Sequence, residues 1–318
     1  IVLEPRTVKF EVTKLPLIVA LPSYNSKFTF NVPSDNISIL FPILTAPILF
    51  IVAIGNLSEL ICPCVILLAF LEKLINLVAN EFDVLITYHG TVQSDSDILP
   101  AAETTLNQFK NILNRQDMMI ISVAHPQLNI LFGDNILQAE AALLWVKHKA
   151  NQELGITVNK VFLGGHSQGG YIVTRLNTMH QTNGVIANAP GPLNLVYRCE
   201  LEENGQVQSS STCLKLKNVY GLTTANSSSY FERSLLNFTN GFKSDILFVQ
   251  GLDDMPIQMY SWPTFKQDVL SCTNCQNRQF VEIPGGHTAI FQSQTAKTEF
   301  NNFINIVIVF DTQPFSNI

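Results

Sequence analysis

The chain has 318 residues, 47% of them hydrophobic and only 14% charged, with a formal net charge of −6. A chain of this length and polarity buries a large core, as one big α/β domain or two small ones, and is not disordered. Without a Lys/Arg cluster it has nothing to neutralise phosphates, which argues against a nucleic-acid partner.

The first eighty residues are the hardest to read. Residues 7–12 and 27–32 alternate apolar and polar side chains, as half-exposed strands do. Residues 37–57 then carry no charge, and 60–71 form a second apolar run. The first run is long enough to span a bilayer, but Pro42 and Pro47 interrupt it and Lys/Arg do not flank it asymmetrically. Two buried strands joined by proline turns is the favoured reading; membrane association through 37–71 is the alternative.

From about residue 80 the pattern becomes regular. Strands are predicted at 82–88, 118–124, 160–164, 184–188, 245–250 and 279–283, with helices at 100–113, from Asp134 or Asn135 to Lys149, and from Tyr171. Apolar strands separated by helices predict a doubly wound, mostly parallel sheet covered on both faces. Between residues 191 and 240 Gly, Ser, Asn and two cysteines dominate, which predicts an insertion above the carboxyl edge of the sheet, a cap or lid.

The six cysteines form three local pairs, Cys62/Cys64, Cys199/Cys213 and Cys272/Cys275. An even, locally paired count suits disulfides. Cys272 and Cys275 have neither the second Cys pair nor the His pair that a zinc site needs, so no metal is expected. Sequons stand at Asn36, Asn56, Asn226 and Asn237. The chain begins at Ile1 without Met, as a trimmed product would. Together these features predict a secreted or periplasmic protein.

Gly165-His166-Ser167-Gln168-Gly169 lies between a predicted strand and a predicted helix. Strand, sharp turn and helix form the context in which a Gly-x-Ser-x-Gly sequence presents its serine as a nucleophile. A serine needs a base, and that base needs an orienting acid. Among six histidines, His287 follows the last predicted strand and is the best-placed base. His148 and His180 fall on polar helix faces. His89 and His125 end strands, where backbone groups at a sheet edge would satisfy them. The acid should end the preceding strand, where Asp253 and Asp254 are adjacent. One carboxylate would accept from the base while its neighbour caps the next helix or faces water.

The order Ser167, Asp254, His287, with the motif placement over residues 80–310, resembles the α/β-hydrolase superfamily. The resemblance implies that fold over a single domain. It also selects Asp254 over Asp253, because Gly251, Asp254 and Ile257 match the superfamily's spacing. It further implies an oxyanion hole from the backbone N–H groups of Gln168 and Thr91, with Val92 the runner-up. His89, Gly90, His166 and Trp262 are the candidate substrate-binding residues. Lacking a glycine run after His89, the chain departs from lipase-type relatives, which makes bulky tertiary-alcohol esters a poor fit.

The implied chemistry is cofactor-free cleavage of a small-molecule ester or acyl compound through an acyl-enzyme on Ser167. Tyr260, Trp262 and Phe265 would line an apolar pocket, or else pack as ordinary helix residues. A prolyl-oligopeptidase-like peptidase is a second reading, with Glu200, Glu202 and Glu203 as an acidic clamp. A hydrolase fold used only for binding is a third, and it predicts a missing triad member.

Overall fold

The computed structural model describes residues 81–115, 118–127 and 130–310, with side chains to 305, and the backbone of four short strands before residue 54. Those strands are β1 (Ile18–Ala20), β2 (Phe30–Val32), β3 (Asp35–Ile37) and β4 (Leu49–Ala53). β2 falls within the strand expected at 27–32, whereas the strand expected at 7–12 lies outside the described residues. β4 lies inside the uncharged run and pairs in parallel with a central strand, so this part of 37–71 belongs to the sheet. Among the described residues no helix is long and apolar enough to cross a membrane.

The remaining sheet strands are β5 (Glu81–Tyr88), β6 (Met118–Ala124), β7 (Thr157–His166), β8 (Gly184–Asn188), β9 (Ile246–Gly251) and β10 (Arg278–Ile283). The eight-stranded sheet runs β1-β4-β6-β5-β7-β8-β9-β10, with only the β1–β4 pair antiparallel. The chain steps from β5 outward to β6, then returns to place β7 on the other side of β5. Strand order reverses there, and the crevice at the carboxyl ends of such strands is where ligands bind in open α/β sheets.

Alternation along the strands sorts side chains to two faces. From β5, Val84, Ile86 and Tyr88 join one core and Leu85 the other. The first face is covered by α2 (Ile136–His148), α4 (Gln168–Met179) and α8 (Pro256–Leu270). The second is covered by α1 (Ile98–Ile112) and α9 (Gln294–Phe310). A short helix, α3 (Ala150–Leu154), precedes β7. Each large apolar side chain buried here contributes about 1.5–3 kcal/mol, which is why a sheet covered on both faces tolerates so few charges.

The segment expected as an insertion contains regular structure that its composition hides. It folds as α5 (Leu195–Glu203), α6 (Ser211–Tyr220) and α7 (Thr223–Phe231). Asn194 and Ser210 cap the first two by accepting from the backbone N–H of Tyr197 and Cys213. A Cys199–Cys213 disulfide joins α5 to α6, and a Cys272–Cys275 disulfide closes the turn after α8. Both suit an oxidising compartment. Cys62 and Cys64 lie outside the described residues.

Candidate active site

β7 is longer than the sequence pattern suggested and runs to His166, so α4 starts one residue after Ser167. Ser167 itself takes φ 58° and ψ −119°, a conformation that costs a non-glycine residue about 1–3 kcal/mol. The neighbouring backbone over-determines it. Ser167 N–H donates to Asn188 O at 3.0 Å, and its carbonyl accepts from Tyr171 N–H at 3.0 Å and Gly191 N–H at 3.1 Å. A Cβ at Gly165 would collide with the Gly169 backbone, and one at Gly169 with the Tyr88 carbonyl. Glycine at both positions is therefore a steric requirement of the turn.

The loops that carry Asp254 and His287 meet in the same backbone-on-backbone way. A Cβ on Gly251 would overlap the carbonyls of Gly285 and Gly286, so glycine there lets the loops after β9 and β10 touch. Gly285 has φ 104°. Asp253 N–H donates to Gly285 O at 2.9 Å, and Gly285 N–H donates to the Asp253 carboxylate at 2.9 Å. Asp253 thus neither caps α8 nor faces water unengaged; it clamps the histidine loop.

With the loops so joined, the imidazole Nδ1 of His287 lies 2.8 Å from Asp254 Oδ2. The Asp254 side chain is fully buried, and that of His287 is 29% exposed. Gln250 Nε2 also donates to Asp254 Oδ2 at 2.8 Å, and Met255 N–H donates to Oδ1 at 2.6 Å. Burial pushes the Asp254 pKa up, but hydrogen bonds from His287, Gln250 and Met255 and the charge of His287 outweigh it, holding the carboxyl below its ordinary range. An ionised carboxylate on Nδ1 fixes the tautomer that leaves Nε2 free to accept a proton.

At the helix start, Gln168 N–H has no intrahelical acceptor. Thr91 Oγ1 donates to Gln168 Oε1 at 3.3 Å, which brings the two expected oxyanion-hole residues together. The Thr91 backbone N–H donates to no acceptor among the described residues. Val92 N–H, the runner-up donor, is engaged by Gln127 Oε1 at 2.8 Å. Gly90 lets this loop lie against Ser167, since a Cβ there would sit 3.3 Å from that of the serine.

The structure puts three of the expected substrate-binding side chains elsewhere. His89 is fully buried, stacked on His125 with ring centroids 3.9 Å apart, and its Nδ1–H donates to Gly90 O at 2.7 Å. Burial lowers the pKa of both rings, and for His125 the neighbouring His89 adds to the effect. His166 is buried between His287 and Phe291, with centroids at 4.7 and 5.0 Å. Burial, then the proximity of His287, pushes its pKa down to about 3, so it stays a neutral wall behind His287. Trp262 is only 2% exposed and sits in the core against Phe265 and Phe280, its indole N–H donating to Glu282 at 2.8 Å. Trp262 and Phe265 therefore pack as core residues and do not line a pocket; Tyr260 is exposed and stacks on Tyr197 at 3.9 Å. Among the described residues no cluster of three or more His, Cys, Asp or Glu side chains could hold a metal ion.

No protein-family model and no curated protein matches the chain. Solved structures do match. Inhibited esterase B from Lactobacillus rhamnosis aligns with a TM-score of 0.55 at 12% identity, over 75% of this chain and 81% of its own. A Pyrobaculum calidifontis esterase aligns with a TM-score of 0.52 at 12% identity, over 74% of this chain and 79% of its own. At that identity the likeness concerns the backbone, and with the strand order and the serine turn it shows that this chain has the α/β-hydrolase fold.

Proposed function

We propose that the protein is a serine hydrolase that cleaves carboxylic esters through an acyl-enzyme on Ser167. The observation that carries this reading is the 2.8 Å contact between His287 Nδ1 and the buried Asp254 carboxylate, at the sheet edge that also bears a positive-φ serine. In this mechanism His287 Nε2 takes the Ser167 proton as Oγ attacks the ester carbonyl. The N–H groups of Gln168 and Thr91 hold the oxyanion. His287 then protonates the departing alcohol, and water activated by the same imidazole releases the acid. No cofactor enters these steps. The structurally similar proteins named above are esterases, which favours esters over amides.

A cleft beside the oxyanion-hole residues is lined by Thr91, Gln168, Leu131 and Phe132, and by Ser211 and Lys215 of α6. It is the proposed substrate entrance, with residues 191–240 as its lid. Two of the three glutamates offered as the clamp of the peptidase reading are engaged within the helices, Glu202 by Arg198 and Ser210, and Glu203 by Thr223. The two disulfides fit a secreted or periplasmic enzyme.

Turnover of p-nitrophenyl esters, compared with peptide p-nitroanilides, tests the proposal. Ester cleavage should exceed amide cleavage, and Ser167→Ala should lower it by about six orders of magnitude. Undiminished turnover in that variant would place the nucleophile elsewhere.

A further inference from the structure

Two glutamines that the mechanism does not use are buried around the acid. Gln250 is the penultimate residue of β9 and is fully buried. Its Nε2 donates to Gly251 O at 2.9 Å and to Asp254 Oδ2 at 2.8 Å, the oxygen that also faces His287. Two acceptors on one side fix which way the amide points. Its Oε1 accepts from Gln258 Nε2 of α8 at 3.2 Å, and the same Nε2 donates to Pro190 O at 2.8 Å. Pro190 lies between the two residues that hold the serine: Asn188, whose carbonyl takes Ser167 N–H, and Gly191, whose N–H binds Ser167 O. Gly170 of α4 packs so closely on Pro190 that a Cβ would come within 2.8 Å of it.

From this geometry we infer that Gln250 and Gln258 are positioning residues, an amide relay that sets the acid–base pair in register with the nucleophile turn. The inference rests on the hydrolase reading. The backbone already joins the acid loop to the base loop, through Gly251 and Gly285. The relay is the side-chain connection from Asp254 across to the serine. An amide suits the task because it donates and accepts at once and carries no charge to disturb the carboxylate. Both Gln250 donors and its acceptor are engaged, so the network is closed, and a closed buried network is stiff.

Removing the Gln250 donor has a directional consequence beyond loosening. With one hydrogen bond fewer, negative charge concentrates on the oxygen facing His287 and favours its imidazolium. The other titratable groups facing the pair are His166, neutral above pH about 3, and Asp253, engaged with Gly285 N–H. His166 therefore supplies no competing charge change near neutrality.

The test is the rate of Ser167 modification by a fluorophosphonate from pH 5 to 9, in the full chain and in Gln250→Met and Gln258→Met. For Gln250→Met the rate at pH 8 should fall about tenfold, and the acidic limb of the profile should move up by about half a pH unit. Gln258→Met leaves all three donors on Asp254 in place, so it should show a smaller fall and a smaller upward move. If Gln250→Met fails to fold, Gln258→Met decides by the same two readouts. Wild-type rates and midpoints in both variants, or slower rates with unmoved midpoints, would overturn the relay. Absence of modification in the unsubstituted protein would instead overturn the hydrolase reading on which it rests.

Discussion

The carboxyl edge of the sheet and the helices of residues 195–231 are held together by different means. At the edge, backbone meets backbone: Gly165 against Gly169, Gly169 against Tyr88, Gly251 against Gly285 and Gly286. Around the helices, side chains make the connections: the Cys199–Cys213 bond, Glu203 on Thr223, and Arg233 reaching Phe132 O, Asp134 and Tyr220. Backbone packing fixes positions to a fraction of an ångström, which proton transfer demands. Side-chain links hold a shape while letting its lining vary, as a substrate entrance requires. The edge should therefore be intolerant of an added methyl group, and the helices intolerant of a lost link.

Four substitutions or conditions would break or sharpen this contrast. Asp254→Asn keeps the shape of the edge but donates where the acid accepts, and turnover should drop by about 10⁴-fold, measured as kcat on an ester. Replacing Cys199 and Cys213 by Ser should cost the helices about 3 kcal/mol, since the bond closes a loop with a sequence separation of 14. Amide hydrogen exchange should then quicken across 195–231 and stay unchanged across 165–176. Equal acceleration in both would mean that the two regions are not separable. Gly251→Ala should lower turnover by about 10²-fold with little change in KM, because a displaced acid misaligns the base.

The smallest effect per unit change concerns acid. His89, His125 and His166 are buried at the edge with pKa values depressed below the ordinary 6.5. Below pH 6.5 the unfolded chain takes up protons that the native rings refuse, so stability is complete above that pH and declines beneath it. The slope is up to ~1.4 kcal/mol per pH unit for each histidine, continuing for His166 to about pH 3. Thermal unfolding followed from pH 7 to 4 should show a falling Tm, and His166→Phe should flatten the fall.

Much of the fold was legible because strands buried on both faces write long apolar runs. β6 and β8 have the bounds that their runs predict, β5 and β10 differ by one residue at an end, and β9 is shifted by one residue at both ends. The helices of 195–231 were not legible, because Ser, Thr and Asn at their caps and on their exposed faces mask a short apolar stripe. That stripe is completed only by contacts from elsewhere, such as Leu131 and Phe132. Within the site, the serine turn is local and can be read from spacing alone. Asp254 needed the spacing of a superfamily to be separated from Asp253. His89 and Trp262 misled because a histidine or tryptophan at a strand end or helix face looks the same in sequence whether it meets a ligand or a core. Gln250 left one readable trace, a polar residue closing an apolar strand run, whereas Gln258 left none.

The most direct test of the central proposal is fluorophosphonate labelling of the purified protein, with the modified residue mapped by mass spectrometry. Label confined to Ser167, and abolished in His287→Ala, is the expected result. Label on another residue, or none on folded protein, would contradict an activated serine at this turn and leave the fold without its proposed chemistry.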